Sequence, residues 1–544
     1  MALFLAFYLA VVFLDVILAK FVLIKINVES GITKITLRHF SHHSENVFHL
    51  QYFNKFLNAI ICQKEGIFSY RIFYGTIVLF FLFFIGSFSF VLVNELLREY
   101  KFKRNNYEKI KNFVINILGF LNVFRKYFVT KNNFFVFSAR ILNAFLLLVL
   151  VSFISRILGK ESFGIFSFIT TVAFITLNLA NGGLDTLMIR TTAGNISNAR
   201  QNLSNTLGIK LFKSGFITLL VIMIFIVVLG KDTVITKMFF LYSASVIFGA
   251  LSHTLWHFGD CFEQLEYHSF LWIASNFLKA VVGIGAVFFT KRLDILFICL
   301  LFSEVISFSV SFLIVRKYFG VFRFAVNIEA WKNMIKDSYK IGFTILLSIL
   351  YFRINTIELQ LIKGSSAVGG FSSAMKCIEM LTIVPGSIAI ASFPTLVYDY
   401  KNSPEKFTKR ITSLLMGMVV LGVLFSLIFF FFGRYLIIIL YGPEFIYSVN
   451  ILKVLIWAVP FVFVNSILTY ILISSGTDRF NALCYFVVTV ESIITNLVFI
   501  RYFNIMGAAY AFLFTEVILS CGLFWSTLNK GFISKYYFVR LNAR

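Results

Sequence analysis

Ten ionisable residues lie within long apolar stretches: Arg140, Lys279, Arg353, Lys376 and Lys453 on the basic side, and Glu304, Glu358, Glu379, Glu491 and Glu516 on the acidic side. A charge inside such a stretch is expensive. It normally faces the protein interior or water, where it pairs with an opposite charge or marks a pathway. Because the two sets are equal in size, mutual pairing accounts for all of them as readily as function does. Arg140 and Arg353 stand apart because each occupies the first apolar run of its half of the chain. A guanidinium stays charged and grips phosphate bidentately, so two of them converging on one cavity suit a diphosphate. Arg190, just past an apolar run, and Lys376, inside one, are secondary anion-binding candidates; surface anchoring and snorkelling are their structural alternatives. Glu304, Glu516, Glu358 and Asn355 are candidates for proton or ion coupling, since a buried carboxyl can hold a proton. A helix-packing hydrogen bond is the competing and preferred explanation for Glu304 and Glu516.

Other chemistries find little support. The six cysteines form no CxxC pair and no metal-ligand spacing. His39, His42, His43 and His49 cluster beside Glu45, but a solvated loop explains them better than a metal. His253 and His257 lie one turn apart near Asp260, and an interfacial helix end is the better reading of that pair. There is no Walker A sequence, Rossmann fingerprint or nucleophile elbow. No metal, no cofactor and no enzymatic activity are therefore expected, nor is ATP-driven transport by this chain alone. The energy must come from an ion gradient, the membrane potential or consumption of the product.

The elements that must position these residues are membrane helices. Of the 544 residues, 59% are apolar and 14% charged, with a mean hydropathy of +0.88. A soluble domain has about 25% charged residues, so this composition predicts an all-α polytopic membrane protein. Runs of about 20 apolar residues occur near 1–24 and 72–97, and twelve more lie between 134 and 528. The predicted organisation is an N-terminal extension (1–133) with two hydrophobic helices, a first six-helix lobe (134–318), a linker (319–340), a second lobe (341–528) and a tail (529–544). Alternate connections of the twelve-helix block, with its flanks, carry 28 Lys and Arg against 9 in the others. That bias places both ends of the block in the cytoplasm. The net charge of +24 is then mostly topology, and no nucleic acid need be invoked.

The block repeats. LGKESFGIFSF (158–168) and KGSSAVGGFSS (363–373) match at an offset of 205 residues, and LFSEVI (301–306) and LFTEVI (513–518) at 212. The first aligns Gly159 with Gly364 and Gly164 with Gly369; the second aligns Glu304 with Glu516. Each half has an even number of helices, so the halves are parallel repeats about an axis along the membrane normal. That arrangement suits alternating access around a central cavity.

At RILGKESFGIFSF (156–168), GGLDTLMIR (182–190), YFRINTIELQLIKGSSAVGGFSSAMK (351–376), FPTL (393–396), YGPEF (441–445) and MGAAYA (506–511), the chain resembles the Wzx-type lipid-linked oligosaccharide flippases, polysaccharide exporters of the MOP transporter superfamily. The resemblance runs from about Phe134 to Phe532. It implies a MATE-like fold and export of a lipid-diphosphate-linked glycan across the bacterial inner membrane for surface polysaccharides such as O-antigen or lipopolysaccharide. The implied partners are that glycan, membrane lipids, a glycan polymerase and a chain-length regulator. Similar proteins often carry Asp after Arg-Ile in the seventh helix of the block, where this chain has Asn355. The rival readings are a multidrug or cation antiporter of the same fold, expected to have an acidic cavity, and a membrane glycan polymerase or glycosyltransferase, expected to have a large extracytoplasmic loop.

Overall fold

The computed structural model describes residues 131–230, 233–320, 327–476 and 478–529. The two N-terminal hydrophobic helices expected at 1–24 and 72–97 lie outside the described residues. Every element among those described is helical: α1 (Lys131–Asn181), α2 (Leu184–Gly194), α3 (Ala199–Leu229), α4 (Val234–Asp260), α5 (Leu265–Thr290), α6 (Leu293–Phe319), α7 (Ile328–Lys363), α8 (Ser365–Leu381), α9 (Ile383–Asn402), α10 (Pro404–Tyr441), α11 (Ser448–Leu455), α12 (Val459–Ser474) and α13 (Asp478–Asn529), with short 3-10 turns between some of them. Helix α7 begins at Ile328, where the Asn327 side chain accepts from the Ala330 amide at 3.1 Å. More than half of the stretch read as a linker, residues 328–340, is therefore helix.

Ten helical stretches are long and apolar enough to cross a membrane. Two of them, 59 and 49 residues long, would run far beyond the roughly 30 Å of hydrocarbon at 1.5 Å per residue. Both are broken by a non-helical residue, Gly159 in α1 and Asn504 in α13. At the second break the chain folds back: a Cβ on Gly507 would meet the Phe499 carbonyl oxygen at 2.0 Å. The rings of Phe499 and Phe514 also sit 6.2 Å apart, a separation out of reach for residues fifteen apart on a straight helix. The break at Gly159 falls between the apolar runs near 134–155 and 163–184, and the break at Asn504 between those near 480–500 and 508–528. The outer surface is apolar, as lipid contact requires: on α3, Phe216, Leu219, Met223 and Val227 are exposed at helical spacing while Ser214, Thr218 and Phe225 are buried.

The residues matched by the repeat take the same conformation. Gly159 has φ 79°, ψ 177° and Gly364 φ 81°, ψ −178°, a region essentially closed to residues with a side chain. Five residues on, the lobes touch through backbone. A Cβ on Gly164 would lie 1.8 Å from the Ser365 carbonyl oxygen, and one on Gly369 would lie 2.2 Å from the Lys160 carbonyl oxygen. Since Ser365 is the repeat partner of Lys160, the contact is reciprocal, as a local two-fold relation demands. The other end of the interface closes similarly, with a Cβ on Gly342 of α7 reaching 2.3 Å from the Gly182 carbonyl. Between these seals, α1 packs along α8 and α7.

The charge bias of the connections generates a topology prediction. In a cysteine-free background, single cysteines replacing the exposed residues Lys363, Glu444 and Arg501 should react with an impermeant thiol reagent added to intact cells. Cysteines replacing Asn198, Lys332 and Lys401, also exposed, should react only after the membrane is opened. The reverse pattern contradicts the orientation.

Candidate functional site

The interface between the lobes holds a cluster of three charges. Arg353, on α7, reaches Glu379 Oε1 through Nη1 at 2.5 Å, and Lys376 reaches Glu379 Oε2 through Nζ at 2.8 Å. Lys376 and Glu379 lie one turn apart on α8, a spacing that brings both side chains to one helix face. The opposite side of Arg353 rests on the Phe174 ring of α1, its guanidinium carbon 5.5 Å from the centroid, a cation–π contact across the lobes. Two cations share one carboxylate, so the cluster carries a net positive charge. Lys376 and Glu379 line a cavity of about 130 Å³ with Leu147, Leu148 and Val151 of α1 and Ile383 of α9. Ligand sites usually run to roughly 300–1,000 Å³. This cavity has room for water beside the charges.

Arg140 occupies a different level. The offset that pairs Gly159 with Gly364 pairs Arg353 with Leu148, so Arg140 lies two turns, about 12 Å, from the position equivalent to Arg353. By that register the two arginines stand at different levels along corresponding helices. Arg140 sits one turn from the cavity-lining Ala144. Its Nη1 is 3.8 Å from where a Cβ on Gly386 would be, and it interacts with the Tyr470 hydroxyl. Among the described residues it forms no ion pair with a carboxylate. Arg190 is exposed on α2. Lys376 does not snorkel; Glu379 holds it.

The coupling candidates separate by their partners. Glu304 pairs with Lys279 at 2.7 Å within the first lobe, and its Oε2 is buried without a hydrogen-bond partner. Its repeat equivalent Glu516 meets an amide in place of a cation. Asn465 Nδ2 donates to Glu516 Oε2 at 2.9 Å and to the Glu516 carbonyl at 3.1 Å, while Ser520 donates to Asn465 Oδ1 at 2.7 Å. Asn355 accepts from Asn496 Nδ2. Glu358 is buried, with Oε2 unpartnered.

Sequence reasoning missed the deepest ion pair. Lys210 Nζ lies 2.7 Å from both oxygens of Asp185, with side-chain exposures of 0% and 3%. Thr254 also donates to Asp185 Oδ1 at 2.9 Å. The pair ties α2, α3 and α4 together beneath a cluster of Met188, Leu203, Leu207, Leu251, Leu255 and Phe258. Both residues fall in the stretch 185–213, which reads as an aqueous connection. The available signal was Asp185 itself, a lone acid set in the apolar GGLDTLMIR segment.

Residues 129–398 match the family described as polysaccharide biosynthesis protein. No curated protein sequence gives a significant match. Several solved structures share the fold. The lipid II flippase MurJ in an inward closed conformation matches with a TM-score of 0.55 at 12% identity, covering 73% of this chain and 87% of that one. A multidrug resistance MATE family transporter of the MOP superfamily, inward-facing, matches at 0.57 and 16%, covering 73% and 96%. The eukaryotic MATE transporter AtDTX14 matches at 0.57 and 14%, covering 75% and 96%. At such identities the likeness is one of fold.

Removing one member of a buried pair strands the other charge and costs roughly 3–5 kcal/mol. Lys210→Met should therefore lower both the membrane abundance and the thermal stability of the detergent-solubilised protein. The double variant Asp185→Asn/Lys210→Met should recover much of both. Equal losses in the single and double variants would show that the pair contributes no charge compensation.

Proposed function

From a multi-pass membrane protein built on the fold of the MOP-superfamily transporters, with the polysaccharide biosynthesis family's sequence over 129–398, we propose a flippase for a lipid-diphosphate-linked oligosaccharide. It works by alternating access at the bacterial inner membrane and serves surface polysaccharides such as O-antigen. The observation that carries this reading is the net-positive Arg353–Glu379–Lys376 cluster between the lobes. Glu379 holds two cations in low dielectric, and neither is fully neutralised. A diphosphate entering the opened interface would take over the guanidinium fork and the ammonium while Glu379 swings aside, and charge-assisted bonds of this kind are the strong ones. Arg140, without a carboxylate partner among the described residues, lies further along the same groove as a second phosphate contact. Arg190 would meet the headgroup at the membrane surface.

Transport needs a source of energy. Glu304 is committed to Lys279, which leaves Glu358 and Glu516, with Asn355 beside them, as the groups to hold a coupling proton or cation. A polymerase and a chain-length regulator acting on the flipped product are the expected partners. An antiporter for cationic drugs would be served by an acidic site, whereas Arg353, Lys376 and Glu379 together carry a net positive charge. A polymerase or glycosyltransferase needs an aqueous loop or domain for its chemistry, and the connections among the described residues are short.

Arg353→Ala leaves Glu379 paired with Lys376, and Lys376→Ala leaves it paired with Arg353. Neither variant strands a charge, so membrane abundance should hold. Each loses a charge-assisted contact worth roughly 1.5–3 kcal/mol, so glycan export should fall by about tenfold or more, with lipid-linked glycan accumulating on the inner leaflet. Arg353→Lys should recover only part of the activity, since it keeps the charge and loses the fork. Normal export in both alanine variants would remove the cluster from the site.

A further inference from the structure

The corner between α4 and α5 carries a second constellation that transport does not use. His257 and Asp260 end α4, and His268 lies in the first turns of α5. The corner is tight: the Gln264 and Phe262 amides both donate to the Gly259 carbonyl, at 3.1 and 3.0 Å. A Cβ on Gly259 would come 2.4 Å from Tyr267 Cδ1, so the absence of a side chain there lets α5 close onto α4 and carries His268 across to Asp260. His257 Nδ1 and His268 Nδ1 lie 2.8 and 2.9 Å from the same oxygen, Asp260 Oδ2. The three ligand atoms fall within 4.8 Å of one another. His253, the other half of the HxxxH spacing, turns away and packs on Trp256 with centroids 4.8 Å apart.

Two features point to a ligand. The second carboxylate oxygen, Asp260 Oδ1, is buried without a hydrogen-bond partner, an unused acceptor of the kind folded proteins avoid. The three side chains are also open to water, with exposures of 32% for His257, 21% for His268 and 12% for Asp260, so an ion has a way in. We infer that His257, Asp260 and His268 bind a divalent transition-metal ion of the zinc class, which clips α4 to α5. Two imidazoles and a carboxylate are a ligand set for Zn²⁺, Co²⁺ or Ni²⁺, and a tetrahedral ion would keep one position for water. Bonds of 2.0–2.2 Å in that geometry separate neighbouring ligand atoms by about 3.3 Å. The two N···O separations would therefore open by about half an ångström, within reach of small χ rotations, and the unpaired Asp260 Oδ1 is free to join.

The test uses the full chain purified without a polyhistidine tag, stripped with chelator, exposed to micromolar Zn²⁺ or Co²⁺ and passed over a desalting column. The wild type should retain one equivalent more than Asp260→Asn or His268→Gln, and its Co²⁺ form should show a visible d–d band that both variants lack. The melting temperature should rise on adding Zn²⁺ in the wild type alone. A chain with His39, His42, His43 and His49 all changed to Gln should keep the equivalent and the band. Losing either ligand should weaken binding by more than the roughly tenfold to hundredfold that an outer-shell partner is worth. Equal retention in the wild type and the two corner variants, or no retention in the chain lacking the N-terminal histidines, would overturn the inference. Both site variants are checked by size-exclusion profile, and Asp260→Asn keeps an acceptor for the imidazoles. Glycan export is not the readout, so this result stands apart from the transport reading.

Discussion

The close approach of two backbones organises this molecule. Where Gly164 meets the Ser365 carbonyl and Gly369 meets that of Lys160, no side chain separates the lobes, and a further glycine contact closes the other end of the interface. What remains between is small and lined partly by leucine, so any charge there has lost most of its water. In that setting the strength of an ion pair and the cost of a lone charge both rise steeply. The arrangement of Arg353, Glu379 and Lys376 suits that setting: both cations are held by one internal carboxylate. Alternating access would have to part glycine contacts, which have no interdigitated side chains to withdraw.

The two lobes share this scheme and depart from it in their interiors. The acid preserved by the repeat is Glu304 in one half and Glu516 in the other. The first faces an ammonium, whereas the second accepts a hydrogen bond from an amide. The first lobe also contains the fully buried Asp185–Lys210 pair, which fastens the short helix after Gly182 and Gly183 to α3 and α4. The repeated acid is thus ion-paired in the first lobe and hydrogen-bonded to an amide in the second.

Much of the fold was legible in the sequence because its signals are local. The apolar runs between 134 and 528 lie in long helices, and Gly159 and Gly364, aligned by the repeat, have the same backbone angles. Position along a helix was harder. Arg140 and Arg353 belong to corresponding helices, but counting helices overlooks the two-turn difference in level that the offset of the repeat contains. The role of Glu379 as a shared acceptor depends on α7 crossing α8 at that level. Lys210 reads as a loop lysine because its partner lies 25 residues away, across a turn whose direction only the folded chain fixes. His268 went unnoticed for the same reason: its distance from Asp260 is set by the tightness of a corner. Composition and periodicity fix elements; contacts between elements come from packing.

The central claim is that the interface between the lobes recognises a diphosphate headgroup. Its most direct test is the binding of the purified protein to a polyisoprenyl diphosphate and to the corresponding uncharged polyisoprenol, compared in the same detergent at low and high salt. The account predicts that the diphosphate lipid binds at least tenfold more tightly, that salt weakens this preference, and that it is lost when Arg353 and Lys376 are both neutralised. Equal binding of the two lipids, or a diphosphate preference that survives the double neutralisation, would contradict it.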